Sequence, residues 1–309
     1  MPAEALVARE LTKTYSIRGG PQVHALRGVS LTIHPGERFA LLGRNGAGKT
    51  TFLRIASTLL VPTSGTVEVF GIDAIRRPEE VRPNLAVVPQ EGKPFFHLTP
   101  REQVYAYLSA RGFDRATARS RTEEALGQMG LGEVADRLST TLSGGQRQRT
   151  MVATVIATEA PLLFLDEPTI GMDPFARRDV WESFRRLTRR GSTILLTTHY
   201  LDEAEHLSQR LAIVERGKVL LEGDAEGLKR QVGGSLRVSI TEGARVRETL
   251  ASFGELIEDG GSVSVILGPE KVPELLNFAM KEHLNASVGP VTLEEAFLRI
   301  VGHSINEES

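Results

Sequence analysis

Apolar and polar residues are arranged along the chain in blocks that predict a parallel α/β fold. Residues 1–42 carry short apolar segments interrupted by Gly19-Gly20-Pro21 and Pro35-Gly36, a pattern typical of strands. The apolar run Phe39 to Leu42 predicts another strand, and a glycine-rich turn with a helix over about 49–60 follows it directly. Strand, loop and helix in this order begin a parallel α/β unit.

The middle of the chain changes character and then returns to the first pattern. Residues of about 91–160 are predominantly helical in pattern, and residues 161–223 alternate again between strand and helix. The predicted elements are helices over 101–111 and 115–129, a helix that begins at Ser143, strands over 162–165 and 193–197, a helix over 174–189, and a hairpin of 211–214 with 218–221.

The pair Gly233-Gly234 predicts a boundary between two domains, over 1–232 and 235–309. Asp259-Gly260-Gly261 predicts a hairpin turn within the second domain. The pattern there predicts strand 235–241, helix 244–253, strands 254–259 and 262–267, helix 270–283, strand 286–290 and helix 292–301. This βαββαβ order with a closing helix predicts a small ferredoxin-like α+β domain.

The amino-acid composition argues against several classes of functional site. The 309 residues include 37 basic and 39 acidic ones, with a net charge of −2, which argues against a chain whose whole surface binds nucleic acid and leaves a local basic patch open. The absence of cysteine excludes disulfides, cysteine-ligated zinc, Fe–S clusters and a cysteine nucleophile. Apolar runs such as 162–165 are far shorter than the ~20 residues of a membrane helix. We therefore expect any contact with a membrane to go through a partner or the surface.

One glycine-rich segment predicts a phosphate site. The run Gly43-Arg44-Asn45-Gly46-Ala47-Gly48-Lys49-Thr50, followed by Thr51, fits G-x-x-x-x-G-K-[ST] between a predicted strand and a predicted helix. Its glycines let backbone N–H groups converge on phosphate oxygens at the positive end of the helix. Lys49 supplies a charge for the β- and γ-phosphates, and the Thr50 hydroxyl is a ligand for Mg²⁺. The segment therefore predicts that the chain binds ATP with Mg²⁺.

A second segment supplies acidic residues at the end of an apolar strand. Leu162-Leu163-Phe164-Leu165 leads directly into Asp166 and Glu167. Asp166 is placed to hold Mg²⁺, and Glu167 to polarise a water as general base. A buried strand that simply ends in charge is the alternative, and the phosphate-binding segment favours the catalytic interpretation.

With these two motifs in place, the chain resembles the ABC-family ATPases. The motifs that carry the resemblance follow one another over residues 1–223 in the order of that family. They are Tyr15, similar to the aromatic that stacks on adenine, Gln90 in a Q-loop, Leu142-Ser143-Gly144-Gly145-Gln146 as the signature motif, Thr169 to Asp173 as the D-loop, and Thr198-His199 as the H-loop. The resemblance implies a RecA-like P-loop core with an antiparallel β subdomain and a helical subdomain over about 91–160.

The resemblance also implies roles for these residues. The signature residues Ser143 to Gln146 are expected to face the ATP held by a second subunit, so that the enzyme must dimerise to act. Gln90 would contact Mg²⁺ and the attacking water, and His199 the γ-phosphate. Asp173 would orient the partner subunit, and Tyr15 would stack on adenine.

Each of these residues also has a purely structural interpretation. Ser143 and Asp173 are good helix N-caps, the latter for a helix that begins at Pro174. His199 ends an apolar strand, where a lone histidine is commonly structural, and a strand tyrosine such as Tyr15 commonly packs. Gln90 is otherwise a solvated loop amide.

The C-terminal segment indicates which branch of the ABC family the chain resembles. Residues 289–300, GPVTLEEAFLRI, resemble the closing segment of bacterial drug-resistance exporter ATPases of the daunorubicin/doxorubicin type. The resemblance implies an export motor that works with a separate transmembrane permease and a second ATPase subunit, most simply a homodimer, with no nucleic-acid partner. Such a chain would lie on the cytoplasmic face of the membrane through its permease.

Other functions stay open from the sequence. They are a soluble ABC ATPase that acts on ribosomes or nucleic acid, an importer ATPase with a ligand-sensing C-terminal domain, and a nucleotide-binding regulator without turnover. In the transporter hypotheses, a groove near Phe95, Phe96 and His97 would hold a cytoplasmic helix of the membrane partner. The alternative for Phe95 and Phe96 is that they belong to the core.

Overall fold

The computed structural model describes residues 3–16, 19–231, 236–241, 243–259 and 262–307. The chain forms two compact units, Met1–Val219 and Leu220–Ser309. The division lies earlier than the predicted boundary, and Gly233-Gly234 falls outside the described residues. The reason is that the helix 225–230 packs against the last helix of the chain and so groups with the C-terminal unit.

The elements over residues 1–56 and 100–223 alternate largely as the sequence predicts, and those over residues 64–88 were not predicted. In chain order they are β1 (Leu6–Ser16), β2 (Gln22–Ile33), β3 (Arg38–Leu42), α1 (Lys49–Ala56), β4 (Ser64–Val69), β5 (Ile72–Asp73), α2 (Pro78–Val81), β6 (Leu85–Val88), α3 (Pro100–Ala110), α4 (Arg115–Gln128), α5 (Gly144–Ile156), β7 (Leu162–Asp166), α6 (Pro174–Arg189), β8 (Thr193–Thr198), α7 (Leu201–Leu207), β9 (Arg210–Glu215) and β10 (Lys218–Gly223). The strand β10 spans the boundary between the two units.

The central sheet has the strand order β10-β9-β3-β8-β7-β6. β3 runs parallel to β8 and β9, and β7 runs parallel to β6 and β8. Every residue of β7 and β8 is buried, as expected for strands covered on both faces of a parallel sheet. Because parallel strands end at one edge, the residues after β3, β6, β7 and β8 are brought together there.

An antiparallel sheet of order β2-β1-β4-β5 contributes side chains to the core cluster of this unit, and its pairing places Tyr15 opposite Val23. The segment 91–160 is helical as predicted, with α3, α4 and α5 packed on one another. Thr99 and Asp114 cap the first two of these helices through backbone N–H groups. These contacts explain why each helix begins where the sequence predicts.

The C-terminal unit has the predicted ferredoxin-like topology. Its elements are α8 (Ala225–Arg230), β11 (Leu236–Thr241), α9 (Arg247–Ala251), β12 (Glu255–Asp259), β13 (Ser262–Leu267), α10 (Val272–Lys281), β14 (Ala286–Pro290) and α11 (Leu293–Glu307). The sheet order is β12-β13-β11-β14, with every pair antiparallel. The inward residues Val238, Ile240 and Val265 pack with Leu250 and Leu275 of the helices on one face.

Residues of the segment 289–300 form the cap at the start of the last helix, α11. Thr292 and Glu295 exchange hydrogen bonds in the manner of a capping box, with Thr292 N–H donating to Glu295 Oε2 at 2.7 Å. Glu295 is buried and also accepts a hydrogen bond from Arg237 Nη1 at 3.1 Å. In this structure the segment therefore fastens α11 to β11.

A few elements differ from the predictions. α1 ends at Ala56 and not near residue 60, because Thr58 has a φ of +64° and the N–H groups of Leu59 and Leu60 donate back to Arg54 O. The sequence patterns did not predict the short α7 and α8, nor the elements β4, β5, α2 and β6. None of the helices in the described part of the chain has the length and apolar character needed to cross a bilayer.

The basic run at the end of α6 is engaged in contacts within the chain. Arg185 donates to His206 O at 2.8 Å, and Arg186 donates to Ser183 Oγ at 2.8 Å. Arg189 and Arg190 form ion pairs with carboxylates at 3.6 Å and 2.5 Å. The run is therefore a paired face and not an open cationic surface.

Candidate nucleotide site

The glycine-rich segment forms a tight loop between β3 and α1. Gly46 and Gly48 have φ values of +84° and +108°, which L side chains rarely adopt. A Cβ atom on Gly48 would lie 2.5 Å from Ala25 O. Gly48 is also the N-cap of α1 and offers no side chain to cap it, so the first turn of the helix keeps its N–H groups for a ligand.

Lys49 lies under this loop. Its ammonium group donates to Gly43 O at 2.7 Å and to Arg44 O at 3.1 Å, and the residue is buried. Burial lowers the pKa of Lys49, and the neighbouring carboxylates of Glu167 and Asp166 offset part of that decrease. A buried cation that has only carbonyl partners is poised to pair with an anionic phosphate.

Oxygen ligands from three elements meet beside the loop. Thr50 Oγ1 at the start of α1 lies 3.1 Å from Asp166 Oδ1 at the end of β7, and 3.4 Å from Gln90 Oε1 after β6. Thr197 of β8 donates its hydroxyl to the same Asp166 oxygen. Burial raises the pKa of Asp166, and the hydroxyls of Thr197 and Thr50 partly oppose that rise.

Glu167 and His199 lie next to this group. Glu167 has a φ of +51°, and its N–H donates to both the carbonyl and the hydroxyl of Thr197, each at 3.1 Å. These contacts fix the backbone of this buried residue at the strand edge. His199 Nδ1 lies 3.2 Å from Glu167 Oε1, within ion-pair distance but without the alignment of a hydrogen bond. The structure thus places a carboxylate and an imidazole together at the predicted site.

A cleft of about 360 Å³ opens over the loop, within the usual range for ligand sites. Its walls include Tyr15 and Val23 from the antiparallel sheet, residues 45–51, and Gln90 and Glu167. The ring of Tyr15 is 37% exposed and lies 5.3 Å from Lys13 Nζ. An aromatic face at one end and a phosphate loop at the other suit a purine nucleotide.

The signature segment does not line this cleft. Ser143 and Gly144 are exposed at the start of α5, and Gly145 would place a Cβ atom 3.2 Å from Gly171 O of the predicted D-loop. Ser143 Oγ accepts from Gln146 N–H at 3.2 Å, and Gln146 Oε1 accepts from Ser143 N–H at 2.9 Å. Signature and D-loop are therefore adjacent, and the start of α5 is closed by its own capping box.

Asp173 has the predicted capping role. Its Oδ1 accepts from the N–H groups of Phe175 and Ala176 at 3.0 Å each. The Ala176 N–H is the main cause that holds the pKa of Asp173 below its usual range. Phe175 beside it is 79% exposed, although it is aromatic. Phe95 and Phe96 are also exposed, at 60% and 67%, so the interpretation of this pair as core is wrong.

The oxygen ligands fit Mg²⁺ and not a transition metal. Thr50, Gln90 and Asp166 offer a hydroxyl, an amide oxygen and a carboxylate, which are hard donors. No cluster of three His, Cys, Asp or Glu side chains able to hold a metal occurs among the residues described. A divalent ion here would depend on nucleotide phosphates for its other ligands, as Mg²⁺ commonly does.

Sequence reasoning missed Thr197 and Glu203. Thr197 links Asp166 to the Glu167 backbone, and Glu203 is a buried carboxylate behind the same loops. The sequence could have indicated Thr197, because Thr197 and Thr198 are polar residues at the end of an otherwise apolar strand. Glu203 lies in α7, which the patterns did not predict.

Comparisons with known proteins agree on one family. Residues 26–170 match the model of the ABC transporter family. The chain is 35% identical over its full length to the daunorubicin/doxorubicin resistance ATP-binding protein of Streptomyces peucetius, covering 96% of that protein. It is 33% identical over 99% of its length to the Nod factor export ATP-binding protein I of Paraburkholderia xenovorans, covering all of that protein.

Solved structures show the same fold for most of the chain. A dimeric ATP-binding cassette in a post-hydrolysis state, bound to ADP and Pi, superposes with a TM-score of 0.66 at 28% identity. The match covers 71% of this chain and 98% of the cassette.

Proposed function

Since this chain belongs to the ABC transporter family and is an ATP-hydrolysing member of it, we propose that it is the motor subunit of an exporter. The similar proteins are named for drug resistance and for Nod factor export, which supports outward transport of an organic compound. The observation that carries the proposal is the convergence of Thr50, Gln90, Asp166, Glu167 and His199 beside one phosphate loop.

The nucleotide would lie along the cleft over this loop. Residues 43–51 would surround the phosphates with backbone N–H groups, and Lys49 would exchange its carbonyl partners for phosphate oxygens. Tyr15 would stack on the adenine. Thr50 and Asp166 would hold Mg²⁺, with Gln90 beside them. When bound, Mg²⁺ supplies charge neutralisation for the phosphates during transfer.

Glu167 is the best-placed general base of the site. Its side chain borders the cleft and Thr197 holds its backbone N–H, so the carboxylate can accept a proton from an attacking water. His199, 3.2 Å from that carboxylate, would contact the γ-phosphate and maintain the orientation of Glu167. Both groups approach the phosphate loop from neighbouring strand ends.

Ser143, Gly144, Gly145 and Gln146 would act on the ATP of a second subunit. They lie at an exposed helix start outside their own cleft, and a dimeric cassette is among the similar structures. Asp173 would face the same partner while it caps α6. We infer a homodimer in which two nucleotides are enclosed between two copies.

The membrane partner is a separate permease, contacted through the segment that follows Gln90. The exposed rings of Phe95 and Phe96 are suited to an apolar helix, and Gln90 links that segment to the site. Through this contact the chain would lie at the cytoplasmic membrane surface.

Turnover of the Glu167→Gln variant tests the base role. Because glutamine cannot accept the proton, we expect the ATP hydrolysis rate to fall by about 10²–10⁴-fold while ATP binding persists. Glu133→Gln makes the same change at an exposed position outside the site and should keep wild-type turnover. Full turnover in Glu167→Gln would remove Glu167 from the base role.

The same variant tests the partners. Tagged Glu167→Gln chain loaded with ATP should remain dimeric in size-exclusion chromatography and should retain a polytopic membrane protein from detergent-solubilised membranes. Wild-type chain with ADP is the control and should retain less of it. Recovery of ribosomal proteins or nucleic acid in place of a membrane protein would contradict the transport role.

A further inference from the structure

Glu203 is a fully buried carboxylate that has no assigned part in nucleotide binding. It lies in α7, and its Oε1 accepts hydrogen bonds from Thr169 Oγ1 at 2.8 Å and from Trp181 Nε1 at 3.1 Å. No hydrogen bond reaches its Oε2 from the described part of the chain. A buried ionisable group is costly unless it is fully paired, so its position needs an explanation.

The partners of Glu203 are one residue of the loop after Glu167 and one residue of α6. Thr169 lies in the turn that starts at Glu167, which the Ile170 N–H closes by donating to Glu167 O at 3.3 Å. Burial raises the pKa of Glu203, and the Thr169 hydroxyl, the Trp181 indole and the charge of Arg177 partly oppose this rise. Glu203 lies in α7, which begins at Leu201, two residues after His199. One carboxylate therefore joins the loop of the general base to the helix that directly follows the histidine.

Stability is a weak explanation for this arrangement. Buried charged groups are often replaced by apolar residues of similar volume without loss of stability. The charge of Arg177 offsets part of the cost of burying Glu203, but its guanidinium lies over the Tyr200 ring at 4.4 Å and 3.8 Å from Asp202. A group that is only partly compensated, beside the loop of the proposed base, is more typical of a functional constraint.

We propose that Glu203 is a positioning residue for ATP hydrolysis, which fixes the Glu167 loop, through Thr169, against α7, the helix that begins just after His199. The proposal rests on the roles proposed above for Glu167 and His199. It assigns no contact between Glu203 and the nucleotide. Loss of this carboxylate should therefore affect the chemical step and not the binding of ATP.

Steady-state kinetics of Glu203→Ala and Glu203→Gln test the proposal. We expect kcat of Glu203→Ala to fall by about 10- to 100-fold, because small displacements of catalytic groups have effects of that size. The KM for ATP should stay near the wild-type value. Glu203→Gln keeps an oxygen that accepts from Thr169 and Trp181 and should recover most of kcat. Asp202→Asn, an exposed carboxylate on the same helix, is the matched control and should behave as wild type.

A second pair of variants tests the same contact in case Glu203→Ala does not fold. Thr169→Val removes the hydroxyl from a buried position at nearly constant volume, and Thr169→Ser keeps it. We expect a reduced kcat for the first and recovery for the second. Added to Glu203→Ala, Thr169→Val should cause little further loss, because both changes break one contact.

The fluorescence of Trp181, the single tryptophan of the sequence, should respond to the loss of this carboxylate, because its indole N–H donates to Glu203. Its emission maximum should shift in Glu203→Ala and stay unchanged in Asp202→Asn.

Wild-type kcat in folded Glu203→Ala, or in Thr169→Val, would overturn the positioning role. An equal loss of kcat and ATP affinity in Glu203→Ala and Glu203→Gln would also overturn it, because that result indicates general destabilisation. Glu167→Gln is measured alongside. Turnover in Glu167→Gln contradicts the proposed base, whereas lost turnover there with an active Glu203→Ala contradicts the positioning role alone.

Discussion

Two helices of the N-terminal unit carry glycine at their start, and their first turns are satisfied in opposite ways. α1 follows Gly48, which has no side chain to cap it, and its first turn faces a cleft. α5 follows Ser143, which exchanges hydrogen bonds with Gln146 and closes the first turn on itself. The first helix start needs a ligand from solution, and the second is satisfied within the isolated chain.

The contrast suggests why a second subunit would matter. A phosphate that reaches Ser143 must compete with a cap that contributes about 1 kcal/mol to helix stability. A hydrogen bond to a charged oxygen contributes about 1.5–3 kcal/mol, so the phosphate should win this competition. The start of α1 can therefore bind nucleotide in one chain, while the start of α5 would respond to an anion that another chain presents.

The largest expected effect lies at the open helix start. Lys49→Ala should weaken ATP binding by about 100-fold, because it removes a charged donor to the phosphates. The thermal midpoint of the nucleotide-free chain should not fall, because the variant also removes a buried ammonium whose pKa burial has lowered. Isothermal titration with ATP measures the affinity. Lys281→Ala on α10 is the control, and equal affinity in Lys49→Ala would contradict the phosphate site.

A smaller effect is expected at the closed helix start. Ser143→Ala should lower the free energy of unfolding by about 1 kcal/mol through the lost cap, with ATP affinity of the single chain unchanged. Turnover should fall by about tenfold or more, because the hydroxyl no longer meets the partner's phosphate.

Thr99→Ala separates these two effects. Thr99 and Glu102 form a similar capping box on α3, in the same helical segment. The variant should show a comparable loss in urea unfolding with wild-type turnover. Normal turnover in Ser143→Ala would show that the start of α5 has a capping role alone.

The smallest effect concerns a third helix start, at α6. Backbone N–H groups hold the pKa of Asp173 below its usual range, so the unfolded chain takes up a proton at a higher pH than the folded one. The stabilisation is therefore present above the unfolded pKa of about 3.9 and is lost as the pH falls through the lower, folded pKa. Asn caps as well as Asp without titrating.

Urea midpoints measured as the pH is lowered test this sign. Wild type should lose stability in acid more steeply than Asp173→Asn. Asp202→Asn, whose carboxylate caps no helix, should follow the wild-type curve. Parallel curves for wild type and Asp173→Asn would contradict the contribution of the charged cap.

Much of the fold could be read from local patterns. The helices α3, α4 and α6 begin within a residue of their predicted starts, because Thr99, Asp114 and Asp173 mark them with caps. The ferredoxin-like order of the C-terminal unit followed from alternating strands and a Gly-rich turn. Short elements such as α7 lacked this periodicity, and the patterns did not predict the end of α1, where Thr58 adopts a positive φ.

The sequence by itself determined the chemistry available to this protein: a glycine loop with Lys49 and Thr50, and an apolar strand that ends in Asp166 and Glu167. Both are local, since neighbouring residues carry them. The tertiary structure decided which distant groups join them, because the sheet order sets β7 between β6 and β8. That order places Gln90 near Thr50 and His199 near Glu167, and lets Glu203 contact the loop that follows Glu167. No local pattern encodes such contacts, since they arise only when parallel strands end at one edge.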